Sequence, residues 1–454
     1  MELDGKATRI QLGNFSTPQM RAFHMSWIAF FLCFFAWFGI APLMSTVRDE
    51  LRLTKDQVGW CIIGSVGVTI FVRLLVGRLC DWLGPRVTYA GLLVLGSLPV
   101  MAIGLAHDFT SFLLCRVLIG AIGASFVITQ YHTSRMFASN CVGTANATVA
   151  GWGNLGGGVT QLAMPLIVAA LVATLGVTHA TSWRLAMLLV GLLCAATGVA
   201  YYFLTQDTPL GNFRELRAAG RMPEAPATRG AFAEACRDRR VWALFLIYGA
   251  CFGMELTIDN IAVLYFLDYF PYFQGMDQAA ALRTAGLLAG LFGGMNLFMR
   301  AIGGWIADHC GNRWGFGGRV KWLFVALFGE GVGLMLFSQS TTLTVAIPLM
   351  LVFAMFVKMS NGATYAVVPF INRRALGAVS GIVGAGGNVG AVLLGFLFKS
   401  EALDWHTALL IAGAVVTCVS FASLAIGERR PAEAAGPLES MALGNTAGEL
   451  ASVA

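Results

Sequence analysis

The chain has 454 residues, of which 57% are hydrophobic and only 12% charged, with a formal net charge of +6. A soluble domain carries about 25% charged residues, so this composition excludes a globular protein built for water. Nor does the positive balance point to nucleic acid, because about 20 of the 30 Lys and Arg gather on alternate connections, the positive-inside pattern of a multi-pass membrane protein.

In chain order, a polar start (1–25) precedes twelve apolar windows near 26–45, 58–80, 87–106, 110–136, 144–174, 185–204, 241–268, 284–306, 321–338, 344–370, 377–398 and 405–426. Windows of about 20 residues suffice for a helix rising about 1.5 Å per residue to cross about 30 Å of hydrocarbon. The first window lacks a small-residue cleavage site and is expected to be retained. The basic link 205–240, with Arg214, Arg217, Arg221, Arg229, Arg237, Arg239 and Arg240, divides the windows six and six. An all-α membrane protein is expected, with six-helix bundles at 26–204 and 241–427 and a disordered tail at 428–454. An even number of passes with this charge bias puts both termini in the cytoplasm. The ten cysteines form no C-x-x-C pair, so neither a metal nor a disulfide framework is implied.

The second window ends in RLLVGRLCDWLGPR (73–86), and the eighth in RAIGGWIADHCGNR (300–313). Arg73, Gly77, Asp81, Gly84 and Arg86 match Arg300, Gly304, Asp308, Gly311 and Arg313 at a constant offset of 227. The fifth window carries GWGNLGGGVTQ (151–161), and the eleventh repeats its Gly-Asn core as Gly387-Asn388-Val389-Gly390, at an offset of 234 from Gly153-Asn154-Leu155-Gly156. The halves therefore read as duplicates. Gly151, Gly153 and Gly156 fit G-x-G-x-x-G, but that motif needs a preceding strand and an acidic residue about 20 positions on, and residue 173 is Ala. Close helix packing explains the glycines, Gly157 and Gly386 included. Packing does not explain the repeated asparagines, which serve either an inter-helix hydrogen bond or a passing substrate.

Arg73 and Arg300 lie inside apolar windows, where an arginine costs about 2.5–3.5 kcal/mol on insertion scales. Either they snorkel to the surface, or pseudo-symmetry sets them on opposite walls of one cavity, where an anion relieves their repulsion. The guanidinium fork suits flat oxyanions such as nitrate, nitrite or a carboxylate. Phe126, Tyr248, Phe252 and Tyr365 fall in windows expected to line the same space. Glu255 and Asp259, one helical turn apart, are candidates for carrying protons; His132, Arg116, Glu330 and Lys358 are further intramembrane polar groups whose roles the sequence leaves open. No Walker motif is present, so transport would be driven by an ion gradient.

The G-x-x-x-D-x-x-G-x-R loops at 77–86 and 304–313 resemble those of the major facilitator superfamily. That resemblance implies a twelve-helix, two-bundle carrier working by alternating access, with Asp81, Arg86, Asp308 and Arg313 forming ion pairs at a cytoplasmic gate. The stretches QYHTSRMFASNCVGTANATVAGWGNLGGGVTQLAMP (130–165), ELTIDN (255–260) and GATYAVVPFINRRALGAVSGIVGAGGNVGA (362–391) resemble its nitrate/nitrite porter family, nearest the plant-type and cyanobacterial branch. The likeness spans about residues 25–425 and implies that Arg73 and Arg300 bind nitrate or nitrite and that Asn154 and Asn388 belong to binding or gating helices. Family members often carry a carboxylate near 358–361, where this chain has Lys358 and Asn361, which puts a proton role there in doubt. The expectation is a monomeric inner-membrane carrier, without cofactor or metal, that imports nitrate with protons. Nitrate/nitrite exchange, transport of another flat anion such as a carboxylate, and a non-transporting membrane sensor stand as alternatives.

Overall fold

Polar caps decide where the apolar windows become helices. The computed structural model describes residues 5–221, 228–276, 278–372, 375–399 and 403–427, so the expected tail at 428–454 lies outside the described residues. Thr17 accepts from Met20 N–H with Pro18 at the first helical position, opening α1 (Pro18–Phe38). A reciprocal Thr54–Gln57 capping box opens α2 (Lys55–Leu83). Gly84, at φ +91, turns the chain so that Pro85 begins α3 (Pro85–Ala102). Asp108 caps α4, which runs Phe109–Gly120, through a 3-10 turn at Ala121–Ala124, to Ser125–Met136. Next come α5 (Val142–Leu175) and α6 (His179–Leu204).

Past the link, whose described part holds short helices at Phe213–Ala218 and Thr228–Arg237, α7 spans Arg239–Tyr269. The following passage, α8, comprises Gln278–Gly294, a 3-10 turn at Met295–Leu297, and residues 299–313. A kink at Trp314 and Gly315, the latter at φ +67, separates it from α9 (316–338). Then follow α10 (Leu343–Val367), α11 (Leu376–Lys399) and α12 (Trp405–Ser420). Ten stretches among the described residues are long and apolar enough to span a bilayer. One of them, Leu287–Ser338, contains parts of both α8 and α9, and the 34-residue α5 stands outside the ten, so the helices make twelve passages. Several start earlier than the apolar windows, as α1 does at Pro18, because caps and polar first turns extend a helix beyond its oily part.

The packing repeats between halves. Within the first six helices α1 lies on α5 and α3 on α6; within the last six α7 lies on α11 and α9 on α12. The two sets meet where α2 runs along α11 and α5 along α8 and α10. Glycines permit the closest of these approaches. A Cβ on Gly387 of α11 would stand 2.6 Å from the Phe252 ring and 2.9 Å from the Tyr248 ring of α7, closer than packed atoms tolerate. At the end of the bundles that carries the link, the halves are fastened together. Asp81 of α2 accepts from Gly377 and Ala378 N–H in the first turn of α11, each at 3.2 Å. Its repeat mate Asp308 accepts from Gly143 N–H at 3.1 Å and Thr144 N–H at 2.6 Å in the first turn of α5. Each aspartate thus caps a helix of the other half, satisfying N–H groups that a helix N-terminus leaves without intrahelical partners.

Candidate anion-binding site

The repeat mates Arg73 and Arg300 face the same pair of rings between the bundles. Arg73 Cζ lies 5.5 Å from the Phe126 centroid and 5.4 Å from that of Phe252; for Arg300 the distances are 5.9 and 5.8 Å. Neither guanidinium snorkels to a surface: Arg73 is 0% and Arg300 1% exposed. Phe126, Tyr248 and Phe252 present nearly parallel faces, Tyr248 and Phe252 at 5.1 Å and 4°, Phe126 and Phe252 at 6.1 Å and 12°. Tyr365 stands edge-on to Phe126 at 4.7 Å and to Tyr248 at 5.0 Å. Ring faces carry negative quadrupole density that attracts cations, and their flatness favours flat guests.

The two arginines are not equivalent. Arg73 donates to the carbonyl of Gly384 on α11 and, at 3.4 Å, to that of Gly123 in α4, leaving Nε without a hydrogen-bond partner among the described residues. Both terminal nitrogens of Arg300 lack a hydrogen bond among the described residues. The nearest carboxylate is Glu255 of α7, at 3.9 Å from its Nη1. A reading confined to each arginine's own helix could not supply that neighbour, because it arrives from a different pass. The phenolic oxygen of Tyr248 and the amide nitrogen of Asn154 are also buried without a hydrogen-bond partner among the described residues. Asn388 donates to the Val66 carbonyl of α2 at 3.2 Å, so among the described residues only one of the matched asparagines bonds across the halves.

Glu255 anchors a cluster that no motif had marked as a unit. Asn296 and Asn361 each donate to one of its oxygens at 2.7 Å, and Lys358 Nζ lies 2.9 Å from Oε1. Lys358, whose partner the sequence left open, therefore pairs with Glu255, and its ammonium also sits 4.0 Å from the Phe292 centroid. Asp259, one turn along α7, is exposed. Glu330 is fully buried, with Ser360 donating to Oε2. His132 is a packed hydrogen-bonded residue: Nε2 faces the Gln206 carbonyl at 2.8 Å, and a carbonyl only accepts, so Nδ1 accepts from Tyr201 at 2.5 Å. Arg116 donates to the Trp37 carbonyl at 3.0 Å.

The glycines fall into two matching sets. Gly153, Gly156 and Gly157 bring α5 against Phe30, Phe31 and Phe38 of α1; Gly386, Gly387 and Gly390 bring α11 against Phe245, the Tyr248/Phe252 pair and Gly249 of α7. Gly151 instead faces Asn296 and Arg300 across the halves. At the link end, Asp81 and Asp308 hold helix N-termini, and the basic partners differ from the expected ones. Arg319 pairs with Asp308 and donates to the Ser139 carbonyl at 2.6 Å. Arg86 places its guanidinium 4.1 Å from the Tyr202 centroid while its N–H bonds Asp207, and Arg313 lies over Trp314. Arg86 follows the Gly84 turn and meets Tyr202 of its own half, whereas Arg313 is the last residue before the Trp314–Gly315 kink and meets Trp314 of its own half. Outside the membrane, burial pushes the Asp207 carboxyl up, against the hydrogen bonds from Phe213 and Arg86 N–H.

Residues 26–372 match the sequence profile described as Major Facilitator Superfamily. The chain is 39% identical over 414 residues to "High affinity nitrate transporter 2.5" of Arabidopsis thaliana, covering 91% of this chain and 80% of that protein. It is 29% identical over 456 residues to "Nitrate/nitrite transporter NrtP" of Picosynechococcus, covering 81% and 83%. The fold superposes on the Escherichia coli fucose:proton symporter FucP with a TM-score of 0.65 at 13% identity, covering 90% of this chain and 100% of that one. A human organic anion transporter, MFSD10, gives 0.66 at 13%, with the same coverage. At such identities these two likenesses concern the fold alone.

Proposed function

The chain belongs to the nitrate/nitrite porter family of the major facilitator superfamily, and from that premise we propose that it carries nitrate across the inner membrane, with the ion held between Arg73 and Arg300. It is a carrier and not an enzyme, in keeping with its family and its nitrate-transporting relatives. The observation that carries the site assignment is the buried Arg300, whose terminal N–H groups lack hydrogen-bond acceptors among the described residues and lie beside the rings it shares with Arg73. Buried guanidinium N–H groups without hydrogen-bond acceptors are costly, and the Glu255 carboxylate at 3.9 Å does not supply them, whereas a flat oxyanion offers the fork its acceptors. The Phe126 and Phe252 faces would fix the plane of the ion, with the Tyr248 hydroxyl and the Asn154 amide as further donors. Nitrite is the smaller alternative cargo.

Alternating access follows from the fastenings. With α11 and α5 capped by Asp81 and Asp308, the site is closed toward the link end, which we take as cytoplasmic, both termini lying on that side. Rocking the halves breaks those bonds and releases the ion inward. Driving an anion into a negative interior opposes about 2.3 kcal/mol per charge per 100 mV; one proton carried inward or nitrite moving outward in exchange cancels that charge, and two protons per nitrate make the step electrically favourable. We favour symport, because Asp259 is exposed and Glu255, one turn deeper, touches Arg300. These two carboxyls offer protons an approach to the site.

Uptake of labelled nitrate into proteoliposomes tests the reading. Arg73→Lys and Arg300→Lys keep the charge and lose the fork. Each should lower nitrate uptake roughly 10- to 100-fold, the equivalent of one charge-assisted hydrogen bond of about 1.5–3 kcal/mol. Unchanged uptake in both variants would remove the arginines from the site. Accumulation under an imposed pH gradient without internal nitrite marks symport, and dependence on internal nitrite marks exchange. Competition by formate would point to a carboxylate carrier.

A further inference from the structure

Two buried carboxyls lie near the proposed site, and they differ in how much of their accepting capacity is used. Glu255 takes amide donors on both oxygens, Lys358 on one and the more distant Arg300 beside the other. A proton added there would displace a donor already in place. Glu330 of α9 is 0% exposed, and only Oε2 has a partner, the Ser360 hydroxyl. Its Oε1 is buried with no hydrogen bond among the described residues. A buried polar oxygen left bare costs free energy of order 1–3 kcal/mol, more when charged, and a proton can be added to this carboxyl without breaking any bond.

We propose that Glu330 is the group that holds a transported proton while nitrate occupies the site, a role that rests on the symport reading above. The charged and titratable groups facing Glu330 are Glu255 and Cys251 from α7 and Lys358 from α10. On the α12 side Gly331 packs against Thr417, which brings no charge. Ser360 ties Glu330 to α10, next to Asn361, which bonds Glu255. Glu330 is thus linked to Arg300 through one cluster of side chains drawn from α7, α8, α9 and α10. Nitrate at Arg300 adds a negative charge to that cluster, and a proton on Glu330 removes one. Each therefore favours the other, and the coupling is reciprocal. The proton comes from the side where Asp259 is exposed, resides on the carboxyl without covalent change elsewhere, and leaves to the cytoplasm after nitrate.

The test compares the full-length wild type with Glu330→Gln and Glu330→Asp in proteoliposomes. Two readouts are taken for each: nitrate accumulation driven by an imposed pH gradient, and nitrate/nitrate exchange at equal pH on both sides. In Glu330→Gln, driven accumulation should fall by about tenfold or more, within the usual range of coupling factors. Exchange should persist and lose its pH dependence, and Glu330→Asp should recover part of the accumulation. The proposal is overturned if Glu330→Gln accumulates nitrate like the wild type. It is equally overturned if Glu330→Gln loses exchange and accumulation together and Glu330→Asp restores neither, which would mark a packing role. If the wild type itself accumulates nothing under a pH gradient but exchanges nitrite for nitrate, the symport reading fails first and the proton site falls with it.

Discussion

Glu255 shows how single residues in this carrier depend on partners from distant passes. Its carboxylate is 2% exposed and is met by Asn296 and Arg300 from α8 and its adjoining turn, and by Lys358 and Asn361 from α10. Removing one member of a buried ion pair leaves the other uncompensated, at a cost of about 3–5 kcal/mol. We therefore expect Lys358→Met to lower the unfolding temperature of the detergent-solubilised protein, and Lys358→Met with Glu255→Gln to regain most of the loss. A double variant no more stable than the single one would show that the pair does not hold the helices together. Both residues were visible in the sequence as ionisable groups within apolar windows. Their pairing was not, because one helix's periodicity says nothing about which neighbour it meets a hundred residues later. The same limit hid the carboxylate beside Arg300, whereas the arginines themselves stood out because charge inside hydrocarbon is costly wherever it occurs.

Between helices, the glycine stripes set the positions of the site's rings. Gly387 gives the Phe252 and Tyr248 rings room where α11 crosses α7, while Gly395, farther along α11, has nothing within 4 Å of a would-be Cβ. The same substitution should therefore have opposite consequences at the two positions. Gly387→Ala pushes a methyl group into the rings and should weaken nitrate binding by roughly tenfold, on the scale of the 1–3 kcal/mol that overpacking costs. Gly395→Ala adds only helix propensity, about 1 kcal/mol on the aqueous scale, and should leave affinity unchanged. Nitrate binding to the purified variants by calorimetry separates the two; equal affinities would deny Gly387 its part in placing the rings. That these glycines serve packing was legible in their spacing inside an apolar window. Which ring each accommodates depends on the crossing of α11 over α7, and a single helix's sequence does not contain it.

The molecule as a whole is two copies of one plan joined by exchanged caps. The sequence offset of 227 relates Asp81 to Asp308, and the offset of 234 relates Gly143 to Gly377. The structure adds that these two repeats touch each other crosswise, Asp81 on the Gly377 turn and Asp308 on the Gly143 turn. Duplication alone makes this arrangement natural, since whatever one half does to the other is returned. A side-chain cap of this kind is worth about 0.5–2 kcal/mol. The pair together then shifts the balance between closed and open link ends by about 1–4 kcal/mol, roughly 5- to 1000-fold in population. Asp81→Asn and Asp308→Asn keep the shape of each side chain and remove its charge and one acceptor. Each alone should loosen the link end partially, and the double variant should loosen it by about the sum, as expected for contacts on separate helix pairs. Spin labels on the 137–141 loop and the 311–315 turn report this opening as a longer inter-label distance. Asp308 also holds Arg319, which in turn bonds the Ser139 carbonyl, so Asp308→Asn should have the larger effect. If the distances in the double variant match those of the wild type, the caps do not hold the link end shut, and closure there must come from the apposed α2–α11 and α5–α8 backbones alone.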